Sequence, residues 1–221
     1  MVKAVIFDWD GTLADTRGAV VQSFQRVLEE VGCVVTDEFI ERRMGIGTKK
    51  TIEEALKECS IELHDEMLEN LVIEKIRIQA SLTKIVSLFE GAIELLEELQ
   101  GRTKIALGTM SGREVVDNLL PEKRIEECFD VVVTADEISK PKPDPEVFLV
   151  SASKLGVEPK DCVVIEDSVF GVRAAKAAEM KCIAVPSGAY TKEELQEENP
   201  DLMIDALTEK EKIMCFIFSS M

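Results

Sequence analysis

The chain has 221 residues, 46% of them hydrophobic, so it can bury one sizeable core together with a small accessory unit. Its 43 acidic residues outnumber its 26 basic ones and give a formal net charge of −17. A surface this acidic repels the phosphates of nucleic acids and the anionic head groups of lipids. We therefore expect a globular protein that binds neither nucleic acid nor membranes.

The compartment is predicted from the beginning of the chain and from its cysteines. The apolar stretch before Asp8 is too short for a signal peptide, and no apolar run reaches the roughly 20 residues of a transmembrane helix. The six cysteines are scattered, form no C-x-x-C pair and have mostly apolar neighbours, which predicts reduced, buried thiols. We expect a cytoplasmic protein, with the apolar run at 213–218 docked as a tail.

Apolar runs of strand length alternate with helical patterns along most of the chain. Such near-continuous apolar strands are typical of an α/β fold whose parallel sheet is covered by helices on both faces. The strands are predicted at residues 4–7, 104–107, 129–133, 162–165, 182–185 and 202–204, and the helices at 92–99, 112–120, 145–155, 169–178 and 192–197.

The first strand ends in the sequence Asp8-Trp9-Asp10-Gly11. Because side chains alternate along a strand, Asp8 and Asp10 project to one side and Trp9 to the other. Two adjacent carboxylates repel each other unless a cation lies between them. Gly11 allows a tight turn at this point. An Asp-rich turn that merely ends the strand is equally compatible with these residues alone.

A helical pattern fills the segment that follows. Apolar residues such as Val20, Phe24 and Val27 recur at helical spacing between residues 17 and 87, with almost no strand signal. The segment contains no proline. We therefore expect a compact all-helical insertion after the first strand, and not a linker.

Functional loops of a parallel sheet follow the carboxyl ends of its strands. Thr109 stands directly after the second predicted strand, near a helix N-terminus, where backbone amides favour a bound phosphate. Ser111 and Glu114 have the spacing of a capping box, so Ser111 is expected to cap this helix. An ordinary loop hydroxyl is the alternative interpretation of Thr109.

The loop after the third strand contains the segment Lys-Pro-Lys-Pro-Asp-Pro at 140–145. Its prolines make it stiff, and Asp144 is expected to cap the next helix with Pro145 in the first helical position. Lys140 begins the rigid segment and is the better candidate for a functional amine, whereas Lys142 is as often solvated.

Glu166 and Asp167 follow the fourth predicted strand. Two acids beside a helix N-terminus are stabilising by themselves, which is the alternative to a functional role. Together with Asp8, at the end of another strand, they indicate a site for a hard cation such as Mg²⁺, which prefers carboxylate oxygens.

Four motifs, taken together and in this order, closely resemble the signature motifs of the haloacid dehalogenase superfamily. They are D-W-D-G-T-L-x-D-T at 8–16, T-x-S at 109–111, K-P-x-P-D at 140–144 and V-I-E-D-S-x-x-G-x-x-A-A at 164–175. The helical insertion resembles the cap of the branch that contains phosphoglycolate phosphatases and β-phosphoglucomutases. The resemblance implies a Rossmann-like core formed by residues 1–15 and 89–221, with a helical cap domain at 16–88.

The same resemblance implies the chemistry of the site. Asp8 would be the nucleophile that forms an aspartyl phosphate, and Asp10 would protonate the leaving group and then activate water. Mg²⁺ would be bound by Asp8, by Asp10 through its backbone carbonyl and by Asp167, with Glu166 as a further ligand. Lys140 would complete the catalytic set by supplying positive charge.

Substrate binding is implied for Gly11, Thr109 and Ser111, of which Thr109 would hold a phosphoryl oxygen. The implied function is Mg²⁺-dependent hydrolysis of a small phosphorylated metabolite, such as phosphoglycolate or a sugar phosphate, by a monomer or weak homodimer. Specificity would lie in the cap, whose candidate anchors for a second anionic group are Arg17, Arg42, Arg43, Lys49 and Lys50.

Three other activities stay open, and one position departs from the family. In β-phosphoglucomutases a cap histidine follows the first motif, whereas Val20 stands here, so a mutase is the second choice. Asp10 disfavours a phosphonoacetaldehyde hydrolase, which has Ala there, and the large insertion disfavours a receiver-like phosphorylation switch. At Glu179 the family commonly has glycine. Because a left-handed Glu would cost about 1 kcal/mol, we expect a different helix end.

Overall fold

The computed structural model describes residues 2–219. Within this range the strands are β1 (Ala4–Phe7), β2 (Ala14–Asp15), β3 (Ser87–Leu88), β4 (Lys104–Gly108), β5 (Val131–Val133), β6 (Cys162–Glu166), β7 (Lys181–Ala184) and β8 (Leu202–Met203). The α-helices are α1 (Arg17–Glu30), α2 (Asp37–Glu41), α3 (Thr48–Glu58), α4 (Asp65–Ser81), α5 (Ala92–Leu99), α6 (Arg113–Lys123), α7 (Glu146–Leu155), α8 (Val169–Ala177), α9 (Lys192–Glu197) and α10 (Lys210–Phe218).

A six-stranded parallel sheet in the order β5-β4-β1-β6-β7-β8 forms the centre of the molecule. In β1, Val5 and Phe7 pack into the hydrophobic cluster on one face, and Ala4 and Ile6 into the cluster on the other. A strand covered on both faces needs apolar side chains at every position, which explains the continuous apolar run. The predicted α/β fold with a parallel sheet is confirmed.

Helices α1 to α4 lie between β2 and β3, so the insertion after the first strand is helical, as predicted. These helices bury a hydrophobic cluster of their own, which includes Phe24, Ile52 and Leu71. Strands β2 and β3 pair antiparallel, so the chain leaves the sheet and returns to it at adjacent points. We call α1 to α4 the cap; its predicted boundaries at residues 16 and 88 stay a prediction.

The C-terminal apolar run is part of a helix. Ile213, Met214 and Ile217 of α10 are buried and join the same hydrophobic cluster as α5 and α6. The run therefore packs against one face of the central sheet, as expected for a docked tail. No helix within residues 2–219 combines the length and the apolar character needed to cross a bilayer.

The end of α8 differs from the prediction. Glu179 has a φ of +58°, so this residue adopts the left-handed conformation that we expected the chain to avoid. The Met180 amide donates to the Ala175 carbonyl and the Glu179 amide to the Lys176 carbonyl, each at 3.0 Å. These two bonds satisfy the last carbonyls of the helix and define a Schellman motif, which needs a left-handed residue at this position whatever its side chain.

The prediction that all cysteines are reduced is wrong for two of them. Cys33, just beyond the end of α1, and Cys59, at the end of α3, form a disulfide within the cap. The two residues are 26 positions apart and meet only because the cap helices pack side by side, which spacing alone does not show. Cys128, Cys162, Cys182 and Cys215 are free.

Candidate active site

The polar residues selected from the sequence meet at one edge of the sheet. Strands β1, β4 and β6 are parallel neighbours, and Phe7, the last residue of β1, pairs with Leu107 and Ile165. Their carboxyl ends therefore lie side by side, and whatever follows them is brought together. The predicted residues placed at this edge are Asp8, Asp10, Gly11, Thr109, Ser111, Glu166 and Asp167.

The lysine of the site is Lys142, and the prediction of Lys140 is wrong. Lys142 Nζ lies 2.5 Å from Asp8 Oδ1 and 2.7 Å from Glu166 Oε1, and its side chain is fully buried. The Lys140 side chain is 72% exposed. Its backbone amide donates to Glu146 Oε2 at 2.7 Å, which holds this residue at the surface beside the start of α7.

Burial and like charge together disfavour ionised carboxyl groups at this edge. Burial, with the nearby acids Glu166 and Asp10, raises the pKa of Asp8 to about 7 even though Lys142 opposes the rise. Burial by itself would lower the pKa of Lys142, but the two carboxylates in contact with it outweigh burial and raise that pKa above its ordinary value. Lys142 is therefore a permanent cation at the base of the site.

Asp10 faces two hydroxyl groups. Ser111 Oγ lies 2.7 Å and Thr109 Oγ1 3.3 Å from Asp10 Oδ2. The other oxygen, Asp10 Oδ1, is buried without a hydrogen-bond partner among residues 2–219. Because its hydroxyl is directed at Asp10, Ser111 does not cap α6; Gly112 holds that position without a side-chain bond. The capping prediction for Ser111 is wrong.

The helix caps in the neighbouring loops follow from similar local chemistry. The predicted positions at the start of α7 are wrong by one residue, because Pro145 holds the N-cap and Glu146 is the first helical residue. The Asp144 carboxylate still accepts from the Glu146 amide at 3.1 Å. The Ser168 hydroxyl accepts from the Gly171 amide at 3.0 Å and caps α8. These two side-chain bonds, from the Glu146 amide to Asp144 and from the Gly171 amide to Ser168, fix the loops that carry Lys142 and Asp167.

Asp8, Glu166 and Asp167 fit a divalent cation. Each offers a carboxylate oxygen, and these oxygens lie within 4.8 Å of one another in a buried cluster. The pKa of Asp167 is raised by burial and by the adjacent Glu166 and Asp8. A single ammonium, Lys142, does not balance three carboxylates, and hard oxygen ligands suit Mg²⁺. The side chain of Asp10 points to Thr109 and Ser111 and lies outside this cluster.

Two glycines allow the Asp167 side chain to sit in this cluster. A Cβ atom on Gly11 would lie 2.3 Å, and one on Gly188 1.8 Å, from Asp167 Oδ2. Gly11 also has a φ of +89°, so its conformation favours glycine for a second reason. The Thr12 hydroxyl donates to Asp167 Oδ1 at 2.8 Å and fixes the orientation of the carboxylate. Gly11 thus shapes the ligand site instead of only ending the strand.

Comparison with known proteins identifies the family. Residues 5–185 match the model of the haloacid dehalogenase-like hydrolase family. The chain belongs to this family. A phosphorylated carbohydrates phosphatase of Thermotoga maritima is 34% identical over 178 residues, 80% of this chain and 82% of that protein. The fructose-1-phosphate phosphatase YqaB of Escherichia coli is 30% identical over 183 residues, 82% of this chain and 95% of that protein.

The solved structures include a β-phosphoglucomutase from Clostridium difficile, which matches with a TM-score of 0.84 at 26% identity, over 98% of this chain and 100% of that chain. This match agrees with the fold expected from the motifs, and the family together with the phosphatase relatives identifies the chain as an enzyme of the phosphatase type. Its four motifs lie in the matched region 5–185.

Lys75 is a functional candidate that we did not select from the sequence. It extends from α4 of the cap into a cavity of about 30 Å³ that is also lined by Asp10 and Ser111. Its amine contacts the Gln79 side chain, lies 3.3 Å from Thr48 Oγ1 and stands 4.4 Å from the centre of the Phe24 ring. Burial lowers the pKa of Lys75 to about 8, and the charge of Asp10 partly opposes this effect.

A signal for Lys75 exists in the sequence. The residue falls four positions after Leu71 and four before Gln79, on the buried face of α4. A charged residue on the apolar stripe of a helix is seldom buried unless it has partners, so this position could have been selected.

The basic residues proposed as cap anchors are mostly engaged by nearby acids. The ion pairs are Arg17 with Asp15, Arg42 with Glu194, Arg43 with Glu54 and Lys50 with Glu53. Arg43 lines the cavity above Asp10, whereas Lys49 and Lys50 line a neighbouring cleft of about 410 Å³ between α3 and the loop around Pro141. Of the anchors, only Arg43 borders the cavity that Asp10 and Lys75 share.

Proposed function

We propose that the protein is a Mg²⁺-dependent phosphomonoester hydrolase that works through an aspartyl-phosphate intermediate on Asp8. The observation that carries this proposal is the buried Asp8 carboxylate, held at 2.5 Å by Lys142 and flanked by Asp167 and Asp10. A carboxylate nucleophile must approach a phosphate of the same charge, so catalysis depends on positive charge and alignment at this point.

The proposed reaction has two displacements at phosphorus, and each conserves atoms and charge. An Asp8 oxygen bonds to phosphorus as the bond to the leaving oxygen breaks, and Asp10 donates a proton to that oxygen. Water then attacks phosphorus, Asp10 takes its proton, and the bond to Asp8 breaks to release phosphate. Asp10 Oδ1, which has no partner among the described residues, is the oxygen available for these transfers.

The other residues of the site position the reacting groups and neutralise their charge. Thr109 and Ser111 hydroxyls bind phosphoryl oxygens and orient Asp10, and Lys142 compensates the charge of Asp8 and Glu166. Asp8 and Asp167 would hold Mg²⁺, with the Asp10 carbonyl and Glu166 as further candidates. When bound, the ion supplies positive charge to the carboxylate and to the phosphoryl oxygens.

The substrate we propose is a small phosphorylated metabolite, either phosphoglycolate or a sugar phosphate. The relatives' names, a carbohydrate phosphatase and a fructose-1-phosphate phosphatase, favour the sugar. The cavity next to Asp10 holds little more than a couple of water molecules, so the cap must move before such a substrate can enter.

A β-phosphoglucomutase is the second candidate because a structure of that name matches 98% of this chain. Val20, which lines the cavity above Asp10, favours the phosphatase, since its side chain cannot exchange a proton. We further propose that the chain acts in the cytoplasm as a monomer or weak homodimer, although the Cys33–Cys59 disulfide removes the support that reduced cysteines gave to that location. Its net charge of −17 disfavours nucleic acid and membrane partners.

The decisive experiment measures repeated turnover of a panel of phosphomonoesters, including phosphoglycolate and hexose phosphates, with Mg²⁺ and with excess chelator. We expect turnover with Mg²⁺ and none with chelator. Asp8→Asn should abolish it together with the phosphoenzyme seen by mass spectrometry, whereas Asp205→Asn makes the same change at an exposed ion pair and should change nothing. Conversion between sugar phosphate isomers without phosphate release would favour the mutase.

A further inference from the structure

The cap covers the active site in this structure, and Arg42 of the cap contacts the core. We call residues 42–47, which follow α2, the cap loop. Met44, Gly45 and Gly47 of this loop line the cavity that contains Asp10. A Cβ on Gly45 would stand 3.3 Å from Ser168 Oγ, so the loop rests directly on the turn after β6. The cap thus leaves a cavity of only about 30 Å³ next to Asp10.

Arg42 makes three contacts with the core. Its guanidinium Nη2 lies 2.6 Å from Glu194 Oε1, and its Cζ stands 4.8 Å from the centre of the Tyr190 ring. The Tyr190 hydroxyl donates to the Arg42 carbonyl at 2.5 Å. Burial raises the pKa of Tyr190 to about 12, so the hydroxyl keeps the proton that it donates. Among residues 2–219, the bonds with Glu194 and Tyr190 are the only hydrogen bonds between residues 18–75 and the core; near the end of α4, Asn118 Nδ2 also donates to the Ala80 carbonyl at 3.4 Å.

Arg43, the next residue of the cap loop, does not contact the core as Arg42 does. Arg43 Nε lies 2.8 Å from Glu54 Oε2 and its Nη1 donates to the Phe39 carbonyl, both within the cap. Arg43 thus forms its polar contacts within the cap, whereas the adjacent Arg42 contacts the core.

The loop that holds Arg42 also shapes the catalytic edge. The segment 186–190 follows β7, and within it Gly188 lies against the Asp167 carboxylate and the Ser187 hydroxyl donates to the Gly11 carbonyl at 2.6 Å. Tyr190 is two residues farther on. The same short segment therefore fixes the position of Asp167 and the position of the cap loop.

We propose that Arg42 and Tyr190 are positioning residues that hold the cap closed over Asp10, with Glu194 as the counter-ion. Closure places Lys75 and the cap loop against the reacting groups, so the contact sets the population of the competent state. The interpretation of the cavity as the substrate site rests on the proposed function. The contact of Arg42 with Glu194 and Tyr190 is independent of that function.

The test compares amide hydrogen exchange in the free protein and its variants. Tyr190→Phe removes one hydroxyl, and Glu194→Gln removes one charge. Since a hydrogen bond contributes modestly, we expect exchange of residues 42–47 to accelerate about two- to tenfold in each variant, without change in the sheet strands or in Tm. The matched control is Glu198→Gln, which breaks the Arg173–Glu198 pair within the core and should leave the cap loop unchanged.

The second readout is kinetic. With a phosphomonoester substrate, kcat/KM should fall by a similar factor in Tyr190→Phe and Glu194→Gln, and not in Glu198→Gln. Unchanged exchange in both variants, acceleration spread over the whole sheet with a lower Tm, or faster exchange without loss in kcat/KM would each overturn the positioning role. If no phosphomonoester is turned over, the proposed function fails, and the exchange comparison still decides whether Arg42 holds the cap.

Discussion

Replacing Lys142 by methionine removes the positive charge of the active site while nearly conserving side-chain volume. The Lys142 amine is the common partner of Asp8 and Glu166, at 2.5 and 2.7 Å, and its side chain has no exposure to solvent. Lys142→Met therefore leaves two buried carboxylates without their cation. Lys140→Met makes the same chemical change two residues away, on a side chain that is 72% exposed.

The expected loss follows from the burial of this ion pair. Removing one partner of a buried pair costs about 3–5 kcal/mol in the free energy of unfolding, because the remaining charge is uncompensated. Lys142 also lowers the pKa of Asp8, so its loss should raise that pKa further above about 7. Since the unfolded carboxyl titrates near 3.8, the native state then binds the extra proton, and stability should fall as the pH rises from about 4 through 7.

Urea unfolding in metal-free buffer at pH 5 and pH 8, together with kcat/KM for a phosphomonoester, measures both effects. We expect Lys142→Met to be destabilised more at pH 8 than at pH 5 and to lose activity, while Lys140→Met matches the wild type. Equal stability of Lys142→Met and the wild type at pH 8, or a larger loss of activity in Lys140→Met, would refute the assignment.

The remaining predictions concern other parts of the molecule. Lys75→Met should stabilise the protein by up to about 3 kcal/mol below pH 8, because burial depresses the pKa from 10.5 to about 8; the wild type should gain stability between pH 8 and 10.5 in thermal melts, and the variant should lack that gain and show a higher KM. Glu179→Gly should raise the free energy of unfolding by about 1 kcal/mol, whereas Glu179→Ala, which keeps a Cβ at φ +58°, should not. Asp10→Ala should slow phosphoryl transfer from an alkyl phosphate by about a hundred- to ten-thousand-fold, and from an aryl phosphate less, since a nitrophenolate hardly needs the proton; single-turnover kinetics check this. Reducing the Cys33–Cys59 bridge should lower the unfolding free energy by about 3 kcal/mol, and an unchanged urea midpoint would contradict it.

The sheet and its functional edge could be predicted because they depend on local patterns. Continuous apolar runs specify strands buried on both faces, and the residues after Phe7, Leu107 and Ile165 must converge once those strands are parallel neighbours. Asp8 and Asp167 could therefore be placed together before any contact was known. Their position follows from strand ends and does not require knowledge of packing.

Features that depend on packing between distant segments could not be predicted in this way. Lys140 and Lys142 each precede a proline, and only tertiary contacts show which amine is buried: Lys142 reaches Asp8 and Glu166, whereas the Lys140 amide binds Glu146 at the surface. Ser111 had a local capping partner in the sequence, but the Asp10 carboxylate takes its hydroxyl. In each case a tertiary contact outweighed the local preference on which the prediction relied.

The charge at the active site gives the closed cap a role that neither domain could have alone. The core brings three acids, Asp8, Glu166 and Asp167, together with one buried ammonium, Lys142, so acidic groups outnumber basic ones at this edge. A second ammonium near Asp10, that of Lys75, is carried by the cap and lines the cavity in this structure. At the short distances of a buried site these charges are weakly screened, so closure changes the electrostatic energy of a bound phosphate strongly. With Arg42 holding the cap as we propose, its contact with Glu194 and Tyr190 would act on the chemistry through the charge of Lys75, although Arg42 touches none of the reacting atoms.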